Sequence, residues 1–224
     1  MSPARGAAYA APVTERRPEW VAVRVSALCL EPGGRLPDRL LASDAVRAAL
    51  LLDLALAGRM TSTEDSIVVD PTPIGFPPAD RLLAAIDAEP ERSLDGWLDE
   101  RRIGLRDVVE ANAASGRWER RPGLLGLRAR YTDRYPEQTA RDVARNAADW
   151  PADASPEDAC VTVVAGASGL LDPEFHLPAD PPPALIAATG PAEWLCSSVV
   201  ERLRQAHARY CDQAGALGGG LGAF

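Results

Sequence analysis

The stretch from Ser43 to Ala57 constrains the fold more than any other part of the sequence. Its leucines, alanines and valine leave almost no polar face, whereas a helix on a protein surface has one apolar stripe and one polar face. Gly58 follows at the position where a left-handed residue commonly ends a helix. We therefore expect a helix enclosed by other elements, and a chain of 224 residues is long enough to enclose it.

The composition also favours a mainly α-helical domain. Hydrophobic residues make up 46% of the chain, charged residues 25% and aromatic residues only 5%, and alanine and leucine are strong helix formers. We expect a single mainly α domain over residues 19–211, with central buried helices, about seven helices in all and two small β-hairpins. Residues 1–18 and 212–224 are predicted to be flexible tails, from their composition.

Caps, prolines and apolar patterns place the elements along the chain. Residues 20–30 fit a strand or a short helix equally well, before a turn at 31–34. Hairpins are predicted at 59–69 and at 117–127, the second turning at Pro122 and Gly123. Besides the helix over 43–57, helices are predicted over 78–86, 93–116, 136–150, 155–171 and 191–211.

Several classes of protein are disfavoured. The four cysteines are widely spread without a Cys-x-x-Cys pair, which indicates reduced thiols rather than a disulfide scaffold or a zinc ribbon. No apolar run reaches the roughly 18 residues that a membrane span needs, and the first twenty residues lack a signal-peptide core. We expect a cytoplasmic protein whose membrane contact, if it has any, is peripheral and on the inner face.

No catalytic or metal-binding constellation stands out. Ser168 follows Gly166 in a short glycine motif, but the second glycine and the preceding strand of a nucleophile elbow are missing. His207 and Cys211 share one helical face, and two ligands without a third do not make a zinc site. We therefore expect no catalytic residue, no metal and no cofactor, and thus no enzyme.

The basic residues are concentrated in one segment. All 24 are arginines, against 32 acidic residues and a net charge of −8, so a protein that is cationic over its whole surface is excluded. Residues 100–134 nevertheless hold nine arginines against five acids. These arginines could meet phosphates while Trp118, Leu124 and Leu125 dip into a lipid interface. Alternatively they pair with acids elsewhere in the chain, which composition by itself favours.

Three segments, in their order and spacing, resemble the Golgi phosphoprotein 3 family, and more narrowly its bacterial, actinobacterial-type members. They are the apolar run at 50–60, the Val-Val-Asp-Pro-Thr-Pro-Ile-Gly segment at 68–75 and the small-residue run at 158–171. The resemblance covers roughly residues 20–172. It implies a mostly helical domain that binds the headgroup of phosphatidylinositol 4-phosphate and lies peripherally on membranes, without catalysis.

The resemblance also implies a binding pocket. Two of the family's pocket arginines fall on Arg47 and Arg102. The third falls on Leu105, although Arg106 is its neighbour, and the family's pocket tryptophan falls on Asp38. Because an aspartate repels a phosphate, affinity or ligand identity is expected to differ. The expected headgroup ligands are thus Arg47 and Arg102, together with Arg106.

The family's hairpin corresponds to residues 117–127 and implies membrane contact and self-association. The contact residues there would be Arg117, Trp118, Arg120, Arg121, Leu124 and Leu125. The leading hypothesis is a non-enzymatic protein whose partner is an anionic, phosphoinositide-like lipid headgroup. The alternative is a soluble scaffold or regulatory protein that lost lipid binding and presents the arginines to an acidic protein partner. Nucleic-acid binding is disfavoured by the overall acidity.

Overall fold

A computed structural model describes residues 19–37, 40–63, 66–123, 129–146, 154–170 and 181–218. The helices are α1 Val21–Leu28, α2 Leu40–Leu56, α3 Pro77–Ala88, α4 Leu94–Leu98, α5 Leu105–Ala114, α6 Pro136–Asn146, α7 Pro156–Ser168, α8 Pro183–Ala188 and α9 Glu193–Gly218. Strands β1 Met60–Ser62 and β2 Ile67–Val69 form one antiparallel pair, and β3 Trp118–Arg121 and β4 Arg130–Asp133 form another. This arrangement confirms a mainly α-helical fold with two small hairpins.

Helix α2 lies at the centre of the molecule, as its sequence predicts. Its side chains from Ala45 to Ala55 are buried, and it packs against α1, α3, α5, α7 and α9. The chain leaves the helix through Gly58, whose φ of 68° is left-handed, and enters the β1–β2 hairpin. The positions of α1, α3, α5, α7 and α9 therefore depend on what each can bury against α2.

The segment that fitted a strand or a helix forms helix α1. Its first two N–H groups, on Val21 and Ala22, donate to the carboxylate of Asp53 in α2 at 2.7 and 3.0 Å. All residues from Val21 to Ala27 are buried. A contact with a residue about thirty positions away therefore decides the conformation here.

The single helix predicted over 93–116 is two helices, and this corrects the sequence-based expectation. Ser93 caps α4 as expected, since its Oγ accepts from the Gly96 N–H at 3.2 Å. The helix then stops, and α5 begins only after a loop at residues 99–104. The loop exists because Arg47 of α2 donates to carbonyl oxygens at both of its ends, as described below.

The second hairpin is longer than predicted. Strand β3 pairs with β4 from Trp118 opposite Asp133 to Arg121 opposite Arg130, so the return strand begins at Arg130 rather than directly after Gly123. The register places Trp118 and Tyr131 together in the core, with ring centroids 6.3 Å apart. Burial of these two rings outweighs the local Pro-Gly turn signal.

Two helix ends also differ from prediction, those of α7 and α9. Helix α7 begins at the predicted Ser155 cap, whose Oγ accepts from the Asp158 N–H at 3.2 Å, but it ends at Ser168 rather than 171, before the left-handed Gly169. Helix α6 is described only to Asn146. Helix α9 continues to Gly218, so residues 212–218, predicted to be a flexible tail, are helical. The predicted tail at 1–18 lies outside the described residues.

Candidate functional site

A groove of about 640 Å³ lies beside the start of α5. The 31–37 turn, the 99–104 loop and the β3–β4 hairpin form its walls together with α5. The lining residues are Leu36, Pro37, Ser43, Arg101, Arg102, Gly104, Leu105, Arg106, Asp107, Glu110, Arg120, Ala129 and Tyr131. Four of these are arginines, and they come from the loop, the helix and the hairpin.

The groove arginines are available to a ligand. Arg102 is 86% exposed, and its Nε is 3.8 Å from Glu100, which binds Arg92 more closely at 2.8 Å. Arg101, Arg106 and Arg120 form no ion pair with any residue that the structure describes. Guanidinium groups with unoccupied donors suit the paired oxygens of a phosphate or carboxylate.

The two acids of the groove, Asp107 and Glu110, are outnumbered by its four arginines. Asp107 already binds Arg81 at 2.7 Å and accepts from the Gly104 N–H at 2.9 Å, while Glu110 is exposed. The groove also faces the N-terminus of α5, where the helix dipole favours anions. The arrangement is therefore suited chemically to a ligand with several negative charges.

Glu100 holds the base of the arginine loop. Its carboxylate accepts from the Arg102 N–H at 2.9 Å and from Arg92 at 2.8 Å. The bond from the Arg102 N–H, and then the Arg92 guanidinium, hold the pKa of Glu100 below its ordinary value. Glu100 thus remains ionised, and its carboxylate binds the loop backbone and Arg92 more closely than it binds the guanidinium of the groove arginine Arg102.

Arg47 does not line the groove, which corrects its expected role as a headgroup ligand. Its side chain is 2% exposed. Its Nε donates to the Ile103 carbonyl at 3.0 Å, and its Nη1 donates to Leu98 at 2.7 Å and to Asp44 at 3.0 Å. Arg47 is therefore a positioning residue, which fixes both ends of the loop that carries Arg101 and Arg102.

Of the remaining positions that the resemblance implies, one is buried and its neighbour lines the groove. Leu105 is buried, at 3% exposure, in the apolar face of α5, whereas Arg106 is exposed and lines the groove. Asp38 lies outside the described residues. Arg102 and Arg106 thus line the same groove, whereas Arg47 is bonded to the backbone of the loop that carries Arg102.

Trp118 does not lie on the surface, so the prediction that it contacts a membrane is wrong. Its side chain is 2% exposed and packs against Tyr131 in the core. Leu124 and Leu125 lie outside the described residues. The apolar part of the proposed membrane contact is therefore reduced to residues that the structure does not describe.

The hairpin arginines have three different environments. Arg117 is ion-paired with Glu19 and lies over the ring of Tyr135, 5.0 Å from its centroid. Arg121 pairs with Glu119 at 3.0 Å. Arg120 alone among the three lines the groove. Arg120 therefore belongs to the groove rather than to a separate surface of the hairpin.

The other candidate positions have structural roles. Ser168 is fully buried, and its hydroxyl donates to the Val164 carbonyl at 2.6 Å. His207 Nε2 lies 3.5 Å from Cys211 Sγ. Within the described parts of the chain, no group of three or more His, Cys, Asp or Glu side chains could hold a metal. No helix in those parts is long and apolar enough to cross a membrane.

Sequence reasoning missed Arg101 as a groove residue and assigned Arg120 to a different surface. The error follows from the helix predicted over 93–116, because successive side chains of a helix point about 100° apart. A loop lets Arg101 and Arg102 face the same groove. The density of arginines at 100–134 was the feature of the sequence that could have identified these groove residues.

The fold and the groove define a mainly helical domain with a cationic surface site suited to phosphate-bearing ligands. The chain matches the sequence profile of the Golgi phosphoprotein 3 (GPP34) family over residues 26–208, a range that includes the whole groove and most of α9. The protein belongs to this family. A search of curated proteins found no match.

Proposed function

We propose that the protein is a non-enzymatic peripheral membrane protein that binds the phosphorylated headgroup of an anionic lipid, of the phosphatidylinositol 4-phosphate type. The observation that carries the proposal is the groove lined by Arg101, Arg102, Arg106 and Arg120, three of which have no ion pair among the described residues. Membership of the GPP34 family supports it.

The charge of the ligand follows from the charge of the groove. A phosphomonoester carries about −1.5 to −2 at neutral pH and offers three acceptor oxygens. Several guanidinium forks that converge on it would replace its hydration with charge-assisted hydrogen bonds. Because the whole chain carries −8, attraction to an anionic surface must come from this local cluster and should weaken with salt.

The residues that perform this binding differ from those the resemblance implied. Arg47 is buried and Leu105 is apolar, so two cations of the expected pocket do not contribute. Arg101 and Arg120 take their place in the groove. The cytoplasmic location, at the inner face of a bacterial membrane, belongs to the same proposal.

Vesicle sedimentation tests the proposal. The double variant Arg102→Ala, Arg106→Ala should bind phosphatidylcholine vesicles with a few per cent phosphatidylinositol 4-phosphate at least about tenfold more weakly than the parent. A matched control, Arg141→Ala with Arg209→Ala, removes the same charge from exposed positions on α6 and α9 and should bind as the parent does. Equal losses in both double variants would refute the groove assignment.

A soluble scaffold that presents the arginines to an acidic protein is the second candidate. Burial of Arg47 and the apolar Leu105 favour it, because two of the cations that the resemblance implies for a phosphoinositide pocket do not face the groove. Absence of parent binding to every anionic vesicle at low salt, where attraction is strongest, would establish this alternative over lipid binding.

A further inference from the structure

A second cavity, of about 690 Å³, lies further along α5. It shares Asp107 and Glu110 with the arginine groove, but its other walls are different. They come from the start of α1, the 75–78 segment before and within α3, the second half of α5 and Tyr135. Its volume is in the range of sites that hold small organic molecules.

Flat aromatic surfaces line one side of this cavity. Trp20 and Phe76 stack with ring centroids 5.7 Å apart and an interplanar angle of 12°. Tyr135 lines the cavity as well and lies under the Arg117 guanidinium. A planar ring can add a further layer to such a stack.

A buried polar side chain without a partner also lines the cavity. Asn112 is 2% exposed and belongs to the otherwise apolar stripe of α5 formed by Leu105, Val108 and Val109. Its Nδ2 has no hydrogen-bond partner among the residues that the structure describes. Because buried amide donors are almost always paired in proteins, an unpaired one beside a cavity points to a ligand acceptor.

Arg117 supplies a second donor. It lines the same cavity, and its buried Nε has no partner in the described part of the chain, although the guanidinium is ion-paired with Glu19. Burial lowers the pKa of Arg117 below its ordinary value. Both nitrogens are buried, so an occupant that reaches them must carry hydrogen-bond acceptors.

The charges of the cavity disfavour an anion. Arg81 is bound to Asp107 at 2.7 Å and Arg117 to Glu19. Glu110 is exposed and forms no ion pair with a described residue. The lining therefore has no surplus positive charge, in contrast to the arginine groove.

We propose that this cavity is a second ligand site, which takes a neutral, planar aromatic or heteroaromatic molecule bearing a carbonyl oxygen. The ring lies against the Trp20–Phe76 stack, and the carbonyl accepts from Asn112 Nδ2 and Arg117 Nε. The proposal of this second site does not depend on whether the groove binds a lipid.

Titration of the ¹⁵N-labelled protein with benzamide tests the proposal. We expect saturable shifts of the Asn112 side-chain amide at probe concentrations up to about 10 mM. Benzoate, with the same shape and a negative charge, and cyclohexanecarboxamide, with a non-planar ring, should each bind at least about fivefold more weakly. No saturable benzamide binding, or equal affinity for the three probes, would overturn the proposal.

Two variants separate a ligand-binding Asn112 from a structural one. Asn112→Leu removes an unpaired donor while keeping the shape, so it should keep or raise the melting temperature and weaken benzamide binding about fivefold. Trp20→Leu should weaken benzamide binding through loss of the stack, whereas Arg102→Ala should not change it. A clear fall in the melting temperature of Asn112→Leu, or unchanged benzamide affinity in both cavity variants, would show that Asn112 only supports the fold.

Discussion

At the scale of single residues, Asp53 couples the stability of the fold to pH. Its buried carboxylate caps the start of α1 by accepting the N–H groups of Val21 and Ala22. Burial raises the pKa of Asp53 from 3.8 to about 7, although these two hydrogen bonds lower it. The folded state therefore binds more protons than the unfolded state between these two pH values.

The free energy of unfolding should consequently fall as pH rises through this window. The slope due to Asp53 is up to about 1.4 kcal/mol per pH unit. The side chain of Asp53→Asn cannot titrate. The free energy of unfolding of this variant, measured with urea, should therefore lack the part of the pH dependence that is due to Asp53. Parallel pH profiles of parent and variant would contradict a raised pKa at Asp53.

Truncation of Arg47 and of Arg102 should both weaken vesicle binding, but only truncation of Arg47 should lower stability. Arg47→Ala leaves the carbonyls of Leu98 and Ile103 without their donor and should lower the free energy of unfolding by about 2 to 4 kcal/mol, as well as weaken vesicle binding. Arg102→Ala should weaken vesicle binding with a change in stability within about 0.5 kcal/mol. Urea unfolding and vesicle sedimentation on the same samples measure both effects. Full stability of Arg47→Ala would show that Arg47 does not position the loop.

At the scale of elements, the 31–35 turn is held against strand β4 by a close backbone approach. The Gly34 carbonyl accepts from the Tyr131 N–H at 2.7 Å. Gly34 has a φ of 77°, and a Cβ built on it would lie 2.0 Å from the Tyr131 carbonyl oxygen. Leu36 and Pro37, which directly follow the turn, and Tyr131 of β4 line the arginine groove, so this contact shapes the site.

Gly34→Ala should therefore be far more disruptive than Gly33→Ala. Gly33 has a similar φ of 86° but has open space around it, so its substitution costs only the left-handed conformation, about 1 to 2 kcal/mol. Gly34→Ala adds a clash with backbone and should lose at least about 2 kcal/mol more. Urea unfolding compares the two variants directly. Equal losses would mean that the turn does not depend on contact with β4.

Elements with local signals could be predicted, and elements set by distant contacts could not. Ser93 and Ser155 mark helix starts because their hydroxyls cap N–H groups three residues ahead. The end of α4 has no such local cause, since Arg47 lies about fifty residues earlier in the chain. The register of the second hairpin likewise depends on burial of Trp118 and Tyr131 together.

At the scale of the whole molecule, a buried ion network joins three helices. Arg24 of α1 binds Asp142 of α6 through Nη2 at 2.5 Å and Nε at 3.0 Å, and Asp158 of α7 through Nη2 at 2.7 Å. Burial opposes the charge of Arg24, but the hydrogen bonds and charges of the two aspartates outweigh it and raise its pKa. The network thus sets the relative positions of α1, α6 and α7.

Arg24→Met should lower the free energy of unfolding by about 3 to 5 kcal/mol, because it removes a buried cation that binds both Asp142 and Asp158. Adding Asp142→Leu should restore part of this loss, since one of the two buried carboxylates that lose the Arg24 cation is then gone as well. Urea unfolding of the single and double variants measures the difference. A double variant less stable than Arg24→Met would show that charge compensation is not the dominant effect.

The sequence by itself determined the mainly helical class, the central place of α2, the caps of α4 and α7 and the family. The class, the place of α2 and the caps depend on composition, on the period of apolar residues or on a cap within a few positions, and the family resemblance depends on the order and spacing of three segments. Only the tertiary structure decided which arginines are exposed to a ligand in the groove. Burial and hydrogen bonding depend on residues that are distant from one another in the chain. Arg47 occupies the position of a family pocket arginine, yet it is buried and supports the loop. Arg101 and Arg120 line the groove instead.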